Sequence, residues 1–345
     1  MLRERLTAQL LAGPPARDPV AVAERLLAVQ GQDERGFRLA VRSRTAGLIV
    51  ADVDRALSED RSLVVAWLNR GTLHLVRSED YPWLLALTAP QTLRRIVRRL
   101  GQLGVGSAAA ERGVAAIERS LAEGPLSREQ LRERMASAGV ATEGQATIHL
   151  IALASLRGVA VRGPVVEGRH AYALVRDWLG GPEPVDRDVA LAELARRYLA
   201  GHGPAGERDL ARWSGLGLRD ARAGLAAIGA ELERRDDGLV DLARRPPPAE
   251  LPPPRLLGAF DPVLLGWTSR ELVVGEHGAA IAVNGIFRPF ALVEGRAAGT
   301  WSMPGGRVAL KPFGRLRKAD ADVLEEEAAD VERFLSAGQG KGATA

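Results

Sequence analysis

A glycine–proline pair opening onto a short helix-like stretch recurs along this chain, and the elements around it recur in the same order. Residues 111–178 show the order most completely. ERGVAAIERSLAEG has helical spacing, and PLSREQLRERMASAG follows with Ser127 as N-cap and Gln130 three residues on, a capping-box pattern. ATEGQATIHLIALASLRG predicts a third helix. VAVRGPVVEGRHAYALV alternates around Gly163-Pro164 and Glu167-Gly168, as two strands joined by a turn would. Three helices and then a hairpin is the order of a winged helix. The same order is legible from Asp188 to Leu242, with a turn at Gly203-Pro204 and a hairpin at Asp237-Gly238. It recurs at the N-terminus, where LRERLTAQLLAGPPARDPVAVAERLLAVQG gives helix, Gly13-Pro14 turn and helix, and WLNRGTLHLVRSEDY supplies a strand pair.

The pattern stops at RRPPPAELPPPR, residues 244–255, whose prolines exclude helix and sheet interior and predict an extended linker. Beyond it, ELVVGEHGAAIAVNGIFRPFALVEGRAAGTWSMPGGRVALKPF alternates in short segments cut by Asn-Gly, Glu-Gly and Gly-Gly, the signature of a small antiparallel sheet. A last helix, ADADVLEEEAADVERFLSAG, starts acidic and is expected to end at Gly338. The expected fold is therefore α+β and mainly α: three tandem winged-helix modules (1–105, 106–182, 183–250), then a C-terminal β-rich domain with a closing helix (251–345).

Composition removes several chemistries. With no cysteine, disulfides, thiolate zinc, iron–sulfur clusters and thiol nucleophiles are all excluded. The five histidines (His74, His149, His170, His202, His277) show no metal-ligand spacing, so neither metal nor cofactor is expected. A cytoplasmic protein is expected, since MLRERLTAQLLAG lacks the apolar block of a signal peptide and no stretch is apolar enough for a membrane span. Only three of the 47 basic residues are lysines, Lys311, Lys318 and Lys341. Arginine grips phosphate in two places where lysine is a point charge. LRRIVRRL (93–100) sets Arg94, Arg95, Arg98 and Arg99 on one side of a helix, where they would track a phosphate backbone or simply face solvent.

The stretch LLAVQGQDERG (26–36) places two neutral amides, Gln30 and Gln32, where an apolar helix runs out. Residues two apart on a helix point to different faces, so the two converge only if the helix breaks, and Gly31 is the expected break. Read by itself, the pair is better taken as a solvated helix end, and Asp33 as a cap or a partner of Arg35.

With the winged-helix order in place, four segments resemble the AlkZ/YcaQ family of winged-helix DNA glycosylases. AVQGQD resembles its Gln-x-Gln catalytic motif and RGTLHLV (70–76) its Arg-x-Thr-x-His-Leu segment. LLGAFDPVLLGWTSR (256–270) and FRPFALVEGRAAGTWS (287–302) resemble its C-terminal signature. The family usually carries a small or aliphatic side chain between the glutamines, and here it is Gly31; glutamine at the second position matches the AlkZ branch. The resemblance implies a monofunctional glycosylase that releases N-alkylated purines from damaged duplex DNA, N7-alkylguanine or bulky natural-product adducts and cross-links among them. It implies Gln30 and Gln32 as the catalytic pair, with Asp33 and His74 as candidate support. Arg38, Arg42 and Arg44, close behind the motif, are the foremost candidates for DNA contact, followed by Arg70, Arg94, Arg95, Arg98 and Arg99. A monomer with a concave surface would suffice. The competing class is a winged-helix DNA-binding regulator without catalysis.

Overall fold

Helices start where the capping signals stand. After α1 (Leu2–Ala8), α2 (Pro19–Leu26) begins at Asp18, whose carboxylate accepts the Ala21 N–H, with Pro19 in the first turn. A two-residue strand β1 (Val29–Gln30) separates it from α3 (Glu34–Arg42), and α4 (Val50–Ser58) follows. The computed structural model describes residues 1–166, 169–181 and 184–336. It is mainly helical with small antiparallel sheets. Two compact units divide it, one formed by residues 1–53 and 191–345, the other by 54–190. The stretch 1–105, expected as the first module, is thus shared between the units.

In the 54–190 unit, β2 (Leu63–Trp67) and β3 (Leu73–Arg77) form a hairpin over the turn at Asn69–Gly71. The 22-residue α5 (Tyr81–Gln102) follows, then α6 (Ser107–Leu121), α7 (Arg128–Ser137) and α8 (Ala146–Leu156). The predicted capping box holds, with Ser127 Oγ accepting the Gln130 N–H and Gln130 Oε1 accepting the Ser127 N–H. β4 (Ala160–Val166) pairs with β5 (Arg169–Leu174), and the antiparallel order is β3-β2-β4-β5. Gly163-Pro164 makes no turn. It lies within β4, where the register shifts, because the Trp178 indole of α9 (Val175–Trp178) covers Gly163 and leaves no space for a Cβ. The turn expected at Glu167-Gly168 lies outside the described residues. Leu100, Ile117, Leu131, Met135, Leu150 and Leu153 centre the core.

The remainder of the other unit runs through α10 (Arg187–His202, whose first residues belong to the 54–190 unit), α11 (Glu207–Ser214) and α12 (Leu218–Ala227) to a hairpin, β6 (Leu232–Arg234) and β7 (Val240–Leu242). The proline segment then passes without regular structure into β8 (Arg255–Leu257). ELVVGEHGAAI, expected as strands, is helical in short turns instead, including α13 (Glu271–Val274) and α14 (Gly278–Ile281). Its apolar residues Val273, Val274 and Ile281 are buried within these short helical turns. β9 (Ala282–Val283) and β10 (Ile286–Phe287) form a small hairpin. β11 (Phe290–Val293), β12 (Arg296–Ser302) and β13 (Ala309–Pro312) complete a sheet ordered β13-β12-β11-β8. α15 (Lys318–Ser336) closes the chain's described part; the end expected at Gly338 falls outside it. Among the described residues no helix is long and apolar enough to cross a membrane.

Candidate active site

The glutamine segment is set by a break in α2, and the break is at Leu27, not Gly31. Leu27 takes φ 62° and ψ −46°, and the Ala28 N–H donates to the Leu26 carbonyl at 2.7 Å, closing a γ-turn. For a leucine this backbone costs on the order of 1–3 kcal/mol. Full burial of Leu26 and Leu27 holds it there. The chain leaves the turn extended at Val29–Gln30 and does not resume helix until Glu34. On extended backbone, side chains two apart share a face, which a helix would deny them. Gln30 Nε2 accordingly donates to Gln32 Oε1 at 2.7 Å. Gln30 is 5 % exposed while Gln32 reaches solvent. A buried amide thus orients an accessible one, and Gln32 Oε1, an oxygen with two acceptor positions, spends one of them on Gln30.

Asp33 is the N-cap of α3, and its Oδ1 accepts the Gly36 N–H. The capping reading of this residue is the one realised.

The three arginines behind the motif, expected to lead the DNA contacts, are buried. Arg38 lies over the Phe37 ring at 4.7 Å and donates to the Glu34 carbonyl. Arg42 donates to Glu327 at 2.8 Å and to Asp330 at 2.7 Å, both on α15. Arg44 is wholly enclosed, gripping both oxygens of the equally enclosed Asp261 at 2.8 and 2.9 Å, and it also donates to the carbonyls of Gln9 and Ala40. A guanidinium removed from water needs such partners, and its donors are consumed in supplying them. These arginines brace α3.

Asp261 carries no functional signal of its own in the sequence, although its segment, LLGAFDPV, belongs to the C-terminal signature. That segment supports the glutamine turn. Gly36 lies so close to the Ala259 carbonyl oxygen that a Cβ there would overlap it, and a Cβ on Gly258 would stand 2.9 Å from Leu39 Cβ. A glycine three residues after the N-cap was the available signal. In the same unit, Trp267 Nε1 donates to the His202 carbonyl, Thr268 Oγ1 to Asp209, and Trp301 Nε1 to the Leu257 carbonyl, so the other C-terminal signature residues are packing devices.

In the 54–190 unit, His74 sits in β3, 1 % exposed, with Nδ1 facing the Thr72 carbonyl at 3.0 Å. Burial, and secondarily the Arg70 charge, pull its pKa down to about 3 against the opposing effect of that hydrogen bond. It is therefore neutral near pH 7, with the Nδ1 proton donated to Thr72 and Nε2 left as the basic nitrogen. Arg70 is half-buried at φ 58°, and its carbonyl accepts from Arg95 at 2.8 Å. Arg94, Arg95, Arg98 and Arg99 are exposed on α5, and none forms an ion pair with a carboxylate among the described residues. Arg99 reaches Gln145 at the start of α8 at 2.8 Å. Their charges are thus not consumed, unlike those behind the glutamine motif. Among the described residues no cluster of three histidine or acidic side chains is placed to hold a metal ion.

Comparison with known proteins places the fold and the family. The chain is 28 % identical over 348 aligned residues to a Streptomyces sahachiroi protein described as an interstrand DNA cross-link repair glycosylase, covering 93 % of this chain and 91 % of that one. Its fold superposes on the solved structure of the Streptomyces sahachiroi DNA glycosylase AlkZ with a TM-score of 0.77, at 25 % identity, over 96 % and 95 % of the two chains. The family model described as DNA glycosylase AlkZ-like matches residues 23–334, from α2 to the last turns of α15. With nine-tenths of its length so matched, the chain belongs to the AlkZ-like DNA glycosylase family.

Proposed function

We propose that this DNA N-glycosylase hydrolyses the N-glycosidic bond of N-alkylated purines in duplex DNA, N7-alkylguanine above all, and leaves an intact abasic site. Bulky natural-product adducts and interstrand cross-links are the substrates it is best suited to, in the cytoplasm and as a monomer. The observation that carries the reading is the hydrogen bond by which buried Gln30 orients Gln32.

Alkylation at N7 of guanine makes the base cationic, so it departs without a proton from the enzyme and no general acid is required. As the bond lengthens, positive charge gathers on the sugar. Amide oxygens directed there stabilise it by dipole, and the second acceptor position of Gln32 Oε1 can orient the attacking water. A lyase step needs an amine for a Schiff base, and the chain's three lysines all lie at or beyond residue 311.

DNA contact is assigned to Arg70, Arg94, Arg95, Arg98 and Arg99. The winged-helix reading is retained for the runs α6–α8 with β4–β5 and α10–α12 with β6–β7, where three helices precede a hairpin.

The test is base release from duplexes containing N7-alkylguanine, detected by mass. Gln30→Ala and Gln32→Ala should each lower the rate about 10²–10³-fold, the cost of removing one aimed dipole. The double variant should release none. Persistent release would assign the chemistry elsewhere, and DNA binding without release by the wild type would favour a regulator.

A further inference from the structure

We infer that Asp33 is a positioning residue for the glutamine pair, acting through the backbone it caps and not through its charge, with Gly258–Asp261 as the splint that holds the capped turn. The inference rests on the glycosylase reading above.

Gln32 is the last residue before the cap, so its backbone goes where Asp33 goes. Asp33 Oδ1 is committed to the Gly36 N–H, inside the first turn of α3. That turn is pressed against the Ala259 carbonyl at Gly36, and Gly258 lies against both the Gly36 carbonyl and Leu39. The same short segment grips the far end of α3, because Asp261 is the bidentate partner of Arg44, two residues beyond the helix. Phe260, between the two contacts, takes φ 57°, a left-handed backbone unfavourable for a side chain of its size. One segment therefore fixes both ends of α3, and the cap transmits that fixity to Gln32. Upstream, the Leu27 γ-turn does the same for Gln30. A general base needs an acceptor turned toward a water, whereas this carboxylate is turned back into its own helix.

Asparagine separates the two roles. Its Oδ1 can still accept the Gly36 N–H, but it carries no charge and binds no proton in the working range. Single-turnover base release from an N7-methylguanine duplex, together with DNA Kd, would be measured from pH 6 to 8 for Asp33→Asn, Asp33→Ala, Gly36→Ala and, as reference, Gln32→Ala. Circular dichroism would confirm that each variant folds. Asparagine and aspartate cap equally well, so Asp33→Asn should keep the wild-type rate within about threefold, with the same pH profile. Asp33→Ala should lose roughly 10²-fold in rate with Kd unchanged, the cost of small displacements at a reacting centre. Gly36→Ala, whose added methyl displaces the turn with the carboxylate intact, should lose rate in the same way. An Asp33→Asn rate nearer, on a logarithmic scale, to that of Asp33→Ala than to wild type would overturn the inference, as would full activity in Asp33→Ala or in Gly36→Ala. If Gln32→Ala alone matched wild type, it is the glycosylase assignment of the pair that would fall.

Discussion

Acid should weaken this protein through His74, by an amount that the structure sets. The imidazole is fully buried with a pKa of about 3, against 6.5 for the free side chain. Between those values the unfolded chain binds a proton at this site that the folded chain refuses, so stability falls as pH falls. The contribution is fully present above pH 6.5 and is lost progressively below it, down to about pH 3. From pH 7 to pH 5 the unfolded histidine goes from mostly neutral to almost wholly protonated while the folded one stays neutral. At 1.36 kcal/mol per pH unit this removes about 2 kcal/mol of stability. The assay is urea unfolding at pH 7 and pH 5, followed by tryptophan fluorescence, since Trp67, Trp83 and Trp178 belong to the same unit as His74. His74→Asn is the control. Its amide nitrogen can donate to the Thr72 carbonyl as Nδ1 does, and it does not titrate. Its own constant destabilisation cancels in the difference between the two pH values, as do the other histidines. Wild type should lose about 2 kcal/mol more than His74→Asn across this interval. Equal losses in the two proteins would show that the folded histidine takes up its proton normally, and the reasoning from burial and Arg70 would be refuted.

Other expectations follow from the arginines. Asp261→Ala strands the enclosed Arg44 charge and should cost about 3–5 kcal/mol in urea unfolding, whereas the paired change Arg44→Met with Asp261→Leu should recover most of that loss; equal destabilisation by both would show that packing, not the stranded charge, is responsible. Replacing Arg94 and Arg98 with alanine should reduce the slope of log Kd against log salt by about 0.9 for each phosphate no longer neutralised. The rate at saturating DNA should not change. A salt slope identical to wild type would remove the α5 stripe from the DNA interface.

What was legible in the sequence was mostly periodicity and capping. Ser127–Gln130 marked the start of α7, because that signal is satisfied within a few residues. Periodicity failed at residues 271–281, where an apolar run with two glycines reads as strand or as helix and the local pattern does not decide between them. The glutamine pair was legible as a motif, but its geometry was not. Gly31 was the residue free to turn, and yet the turn is made at Leu27, whose unfavourable φ is sustained by burial that no local pattern reveals. The partners of Arg42 and Arg44 were hidden for a related reason. An arginine close to a motif looks like a phosphate ligand until its carboxylates are known, and those of Arg42 and Arg44 come from residues 261, 327 and 330.

These failures share a physical origin with the proposed chemistry. A neutral amide is a weak electrostatic tool in water, where it reorients and is screened; its value at a developing positive charge depends on being held still beforehand. Holding it still means accepting backbone that the local sequence would not choose, and that cost must be offset at a distance. Here a strained leucine lies three residues before Gln30, and the cap beginning one residue after Gln32 is pressed against a segment more than 200 residues away. The enclosed Arg44–Asp261 pair anchors that segment. A catalyst that relied on a carboxylate's full charge could tolerate looser placement. One built on two dipoles cannot, and the arginines behind the motif serve that placement from the protein's interior.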